Sequence, residues 1–127
     1  MNPEYQNVYF AADTNEHPTR FAIVTAYNPD GITIEKAQNH IADQELSNEI
    51  AALGWGSFRV TGMSSDATHQ EPGWGINCSE KEGINLGKQF KQEAIFWVSD
   101  DRITLINVTT LKKIDLGQFP SLLLNKE

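Results

Sequence analysis

The chain has 127 residues, room for one hydrophobic core, and its ten basic and seventeen acidic residues give a formal charge of −7. That charge would repel a phosphate backbone, so nucleic-acid binding is not expected. The single cysteine, Cys78, and the lack of an apolar run in the first twenty residues predict no disulfide, signal peptide or membrane span. We therefore expect one acidic cytoplasmic domain, residues 1–127.

Two strand signals come first along the chain. Tyr5–Ala11 is a weak strand candidate. Phe21–Tyr27 is apolar on both faces, which is typical of a central strand that is buried on both sides. The turn residues of Asn28–Gly31 end it.

Two helices are predicted from different signals. Apolar residues recur at three- and four-residue spacings between Thr33, a candidate cap, and Gly54, a candidate terminator. The second helix begins at Ser79, whose spacing from Glu82 is that of a capping box, and it continues to about Lys91.

The remaining signals are strands and a tail. The predicted strands are Ser57–Thr61, Trp74–Asn77, Ala94–Val98 and Arg102–Val108. Residues 109–127 are predicted to form an irregular apolar tail.

From Phe21 onward the order is strand, helix, strand, strand, helix, strand, which is the split βαβ order of ferredoxin-like folds. The sequence therefore predicts the α+β class, as a two-layer sandwich with additional N- and C-terminal strands. We expect Phe21–Tyr27 and Trp74–Asn77 to be adjacent and parallel at its centre.

Three stretches resemble a known family. They are Thr25–Pro29, Glu71–Trp74 and Leu86–Trp97, which together lie within about residues 21–98. In these stretches the chain is similar to the bacterial family called Domain of Unknown Function 3293. The resemblance implies a compact bacterial domain, and it supplies no activity and no catalytic residues.

A candidate ligand site follows from the predicted sheet. If the two central strands are parallel, both helices begin at one edge, where helix N-termini attract anions and α/β sheets bind ligands. We expect a small anionic or amide-bearing ligand there, or else two ordinary turns. The residues gathered at this edge would be Asn28, Asp30, Thr33, Asn77, Cys78 and Ser79.

A second candidate surface involves aromatic residues. Trp74 stands between two glycines, which let a large ring lie against the core or against a ligand. An exposed Trp74 beside Tyr27 and Glu71 would form a stacking surface for a flat ligand.

The evidence for an enzyme is limited to single residues. Cys78 precedes a helix, whose dipole would lower the pKa of its thiol, but a small buried hydrophobe is the alternative interpretation. The spacing of His and Cys matches no metal site, so neither a metal nor a cofactor is expected.

Three function classes therefore stay open. The first is a ligand-binding domain without enzymatic activity. The second is a partner-binding or regulatory protein that uses its acidic surface and the apolar residues Phe119 and Leu122–Leu124. These residues would either cover the sheet or meet a second copy or another protein. The third is a small enzyme centred on Cys78 or Glu71.

Overall fold

The structure, a computed structural model, describes residues 6–14, 16–66 and 68–124. The strands are β1 (Val8–Ala12), β2 (Arg20–Thr25), β3 (Ser57–Ser64), β4 (Gln70–Ile76), β5 (Ala94–Ser99), β6 (Arg102–Asn107) and β7 (Lys113–Gln118). The helices are α1 (Lys36–Ala52), α2 (Glu80–Gln89) and the single turn α3 (Phe119–Leu122). A 3-10 turn covers Pro29–Gly31.

All seven strands form one sheet in the order β1-β3-β4-β2-β5-β6-β7, and every neighbouring pair is antiparallel. The α+β class is confirmed. The expectation that the strands now called β2 and β4 run parallel is wrong, because Ala22 pairs with Ile76 and Thr25 with Gly73. Helix α1 joins β2 to β3 across β4, and α2 joins β4 to β5 across β2.

The sheet is strongly curled. Four strand spacings separate β1 from β5, which is about 19 Å in a flat sheet. Yet the rings of Phe10 in β1 and Phe96 in β5 lie 5.1 Å apart, edge to face. The concave face therefore encloses its own apolar core, in which Phe10, Phe21 and Phe119 are fully buried.

Helices α1 and α2 cover the convex face. Leu46 and Ile50 of α1 and Leu86 of α2 pack there with the alternate residues of β2, β4 and β5. Helix α2 lies very close to the sheet, since a Cβ on Gly83 would stand 2.6 Å from the Cβ of Ala22. Most of the apolar stripe predicted for α1 is not buried: Ile41 is 61% exposed.

The segment interpreted as an irregular tail is regular over part of its described length, and residues 125–127 of that prediction lie outside the described residues. It contains β7 and α3, after which Leu123 bridges to Phe10 of β1 and the N–H of Leu124 donates to the carbonyl of Phe10. Phe119 lies in the concave core, with Leu122 and Leu123 packed against it. The chain that follows β7 thus spans the gap between the two edge strands of the curled sheet.

Candidate functional site

The predicted edge where both helices start does not exist. Because β2 and β4 are antiparallel, the end of β2 lies beside Gly73 near the start of β4, whereas Ile76 at the end of β4 lies beside Ala22 near the start of β2. The turn at Asn28 and the turn at Cys78 therefore lie at opposite ends of these two strands. The proposed ligand contacts Asn28, Asp30, Thr33, Asn77, Cys78 and Ser79 do not form one site.

Near the first turn, the predicted residues have structural partners or are exposed. Asn28 and the buried Asn39 bond reciprocally: the Asn28 N–H donates to Asn39 Oδ1 at 2.8 Å, and Asn39 Nδ2 donates to Asn28 Oδ1 at 2.9 Å. Asp30 is exposed, with a backbone N–H that donates to the carbonyl of Lys91. Thr33 is exposed and lies outside α1, whose N-cap is Glu35.

At the second turn, the capping box is confirmed. The Glu82 N–H donates to Ser79 Oγ, and the Ser79 N–H donates to Glu82 Oε1 at 2.9 Å. Asn77 is exposed, and its N–H donates to the Gly56 carbonyl. Burial, together with the Glu82 carboxylate, raises the pKa of the Cys78 thiol to about 12. An enzyme that depends on a Cys78 thiolate at neutral pH is therefore not supported.

The aromatic surface predicted around Trp74 is already covered. The guanidinium carbon of Arg59 lies 3.8 Å from the centre of the Trp74 ring. Arg59 is held there by two bonds to the Asp43 carboxylate, at 2.9 and 2.8 Å, and by one to the carbonyl of Gly73. Burial and the nearby Asp43 carboxylate raise the pKa of the Tyr27 hydroxyl. The ring of Trp74 thus has no free face for a flat ligand on the side of Arg59.

A cavity of about 90 Å³ lies on the opposite, concave face. It is at the end of the curled sheet where β2 and β3 finish and where β4 and β5 begin. The apolar part of its lining is Val8, Phe10, Ile23, Val60, Phe96 and Leu105, and the polar part is Thr25, Ser64, His69, Glu71 and Gln92. Apolar walls with a few polar groups are characteristic of small-molecule sites.

Two glycines of β4 permit close packing beside this cavity. In β4 the alternate residues Gly73 and Gly75 face the concave side, opposite Trp74. A Cβ on Gly75 would overlap the ring of Phe58, and a Cβ on Gly73 would lie 2.8 Å from the carbonyl oxygen of Val24. On its concave side the Gly-Trp-Gly stretch is therefore closely packed, with Phe58 over Gly75, and only Gly73 of the two glycines lines the cavity.

Long-range hydrogen bonds hold the polar side of the cavity together. Thr25 Oγ1 donates to the carbonyl of Pro72 at 2.7 Å and accepts the N–H of Tyr27. The buried Gln92 donates through Nε2 to the carbonyls of Tyr27 and Phe90, at 3.1 and 3.2 Å. The three stretches that carry the family resemblance thus meet at this cavity.

Of the predicted site residues, only Glu71 lines the cavity. The sequence reasoning missed Thr25, Ser64, His69 and Gln92 as cavity residues. One available signal was His69-Gln70-Glu71, in which His69 directly precedes β4 and Glu71 is its second residue, so an extended chain places both on one side.

The comparison with family models decides the family. The family described as "Protein of unknown function (DUF3293)" matches residues 24–95, more than half of the chain. The chain belongs to this family. No curated protein and no solved structure matches it at a significant level.

Two further findings concern membrane helices and metal-ligand groups. In the part of the chain that the structure describes, no helix is long and apolar enough to cross a membrane. Within residues 6–14, 16–66 and 68–124, no three His, Cys, Asp or Glu side chains are grouped so that they could hold a metal ion.

Proposed function

We propose that this DUF3293 member binds a small molecule in the concave cavity, with an apolar part of the ligand against the apolar lining residues Ile23, Phe96 and Leu105 and a polar group toward Gln92. The observation that carries the proposal is the convergence of three separate family stretches on one cavity with apolar walls and a polar side. Small-molecule sites are usually concave and mostly apolar, with a few placed polar groups.

The volume limits the apolar part of the ligand. A cavity of roughly 150 Å³ lined by aliphatic and aromatic residues accommodates benzene. At about 90 Å³ the present cavity is smaller, so it fits an aliphatic group of about four carbon atoms. Butan-1-ol is therefore a suitable first probe, because it carries a butyl group and no charge.

The test is a titration of the protein with butan-1-ol, followed by ¹H–¹⁵N correlation spectra. We expect saturable shifts concentrated on the amides of Thr25, Gly62 and Ala94. An absence of shifts up to the solubility limit, or shifts scattered over the convex face, would overturn the proposal.

A matched pair of glycine substitutions locates the binding. A Cβ on Gly62 would point toward Val8 and Phe10, at 3.5 and 3.8 Å, and would fill part of the cavity without a steric clash. A Cβ on Gly56 would have only the Cβ of Asn77 within 4.0 Å. Gly62→Ala should weaken binding of butan-1-ol, whereas Gly56→Ala should leave it unchanged. Equal effects of the two substitutions would count against the cavity.

We also infer that the central part of the sheet has the split βαβ connection of ferredoxin-like folds. The support is that α1 and α2 each join two strands that are separated by one intervening strand. A crystal structure in which either helix joined neighbouring strands would contradict this inference.

A further inference from the structure

We propose that the polar group of the ligand is a hydrogen-bond donor and, more specifically, a primary ammonium group. This inference rests on the proposed function, since it concerns the chemistry of the same cavity. It follows from which donors and acceptors Thr25, Ser64 and Gln92 have left after their contacts within the protein.

Gln92 offers the cavity an acceptor. Its Nε2 donates to the carbonyls of Tyr27 and Phe90. Because a backbone carbonyl can only accept, these contacts fix the orientation of the amide and leave Oε1 as its remaining polar atom. No donor among the described residues reaches Oε1, and the atom is not closed off by protein.

Thr25 has no proton to give to a ligand. Its hydroxyl proton goes to the carbonyl of Pro72, which can only accept, and the N–H of Tyr27 occupies one of the two acceptor positions of Oγ1. What Thr25 can still offer is its second lone pair.

Ser64 is in the same situation. Its Oγ donates at 2.7 Å to Oδ1 of Asp66 and accepts the N–H of His69. The contacts that Ser64 and Thr68 donate lower the pKa of the Asp66 carboxyl to about 2, so Asp66 is ionised at neutral pH and keeps the serine proton.

The net charge of the chain has the corresponding sign, since it is formally −7. The imidazole of His69, an exposed residue, is the one group of the polar lining able to donate. Acceptors from Thr25, Ser64 and Gln92 therefore favour a cationic donor, and they disfavour a carboxylate or phosphate.

The test compares three ligands of equal length on the intact protein: n-butylamine, butan-1-ol and butyrate, each titrated near neutral pH, where the amine is protonated. We expect n-butylamine to bind about tenfold more tightly than butan-1-ol, as one hydrogen bond from a charged group would provide, and butyrate to bind most weakly.

The outcomes separate the two proposals. Binding of butyrate as tight as that of n-butylamine overturns the donor inference, as does n-butylamine binding no tighter than butan-1-ol. If none of the three ligands shifts the cavity amides, the proposed function itself fails.

A variant that introduces a positive charge provides a second test. In Gln92→Lys the ammonium group can still donate to the carbonyls of Tyr27 and Phe90, but it places a cation where the acceptor was. We expect this variant to lose n-butylamine binding and to gain butyrate binding. The matched control is Gln89→Lys, the same substitution at an exposed position of α2, which should keep the preference of the unmodified protein. If Gln92→Lys does not fold, the comparison of the three ligands on the unmodified protein decides the matter.

Discussion

The side-chain amide of Gln92 donates to the backbone carbonyl of Tyr27 at 3.1 Å, across 65 positions of sequence. This contact joins the segment before β5 to the end of β2. It also leaves Oε1 as the remaining polar atom of the amide, so the same contact joins two parts of the fold and underlies the ligand chemistry proposed above.

Loss of the Gln92 amide should reduce stability. Gln92→Leu would leave the carbonyl of Tyr27 without this donor, which costs about 1–3 kcal/mol in the free energy of unfolding. Urea denaturation measures the loss. Gln89→Leu, at an exposed position, is the control and should change the free energy of unfolding by no more than about 0.5 kcal/mol. Equal effects of both variants would mean that the Gln92 contact contributes nothing.

The capping contacts of the two long helices differ, and stability measurements should show it. Ser79→Ala removes the acceptor for the Glu82 N–H and should cost about 1 kcal/mol. Thr33→Ala should cost close to nothing, because Thr33 lies before the N-cap Glu35 and does not cap α1. A larger loss for Thr33→Ala than for Ser79→Ala would contradict the helix boundaries described above.

Helix α2 depends on glycine for its close approach to the sheet. Gly83→Ala would place a methyl group 2.6 Å from the Cβ of Ala22, and we expect a loss of about 1–3 kcal/mol from overpacking. This loss opposes the gain of about 1 kcal/mol that alanine brings to a helix interior. Asn85→Ala, at an exposed position of the same helix, is the control and should keep or raise the thermal midpoint. A stabilised Gly83→Ala variant would show that α2 sits farther from the sheet.

The buried thiol should make the protein less stable in alkali. The pKa of Cys78 is about 12 in the folded chain, because burial and the Glu82 carboxylate raise it, against an ordinary value of 9.0. The unfolded chain therefore loses this proton first, so stability is full below about pH 9 and declines as the pH rises toward about 12. Cys78→Ala lacks this titration and should lose less stability between about pH 8 and about pH 10.5 in urea denaturation. Parallel declines in the two proteins would refute the raised pKa.

Local features were predictable from the sequence. The capping box at Ser79 follows from two residues three positions apart, and the burial of β2 follows from its apolar run. The capping box depends on a contact between residues that are near in sequence, and the burial of β2 depends on composition alone. The helix periodicity of α1 also predicted a helix, but not which apolar residues would be covered, since Ile41 stays exposed on the side away from the sheet.

The direction of the strands was not predictable in the same way. A strand buried on both faces looks alike in parallel and antiparallel sheets, so the apolar run of β2 says nothing about its neighbour β4. The sequence predicted that this strand begins at Trp74, whereas β4 begins at Gln70. The predicted strand therefore lacked Glu71 and Gly73, which face the cavity. The cavity depends on the curl that brings Phe10 to Phe96, a contact between residues 86 positions apart.

The most direct test of the central claim is a crystal structure of the protein with n-butylamine. We expect the butyl group against the apolar lining residues Ile23, Phe96 and Leu105, and the nitrogen within hydrogen-bond distance of Gln92 Oε1. An amine bound only at other surfaces of the protein, or one whose nitrogen points away from Gln92, Thr25 and Ser64, would contradict it.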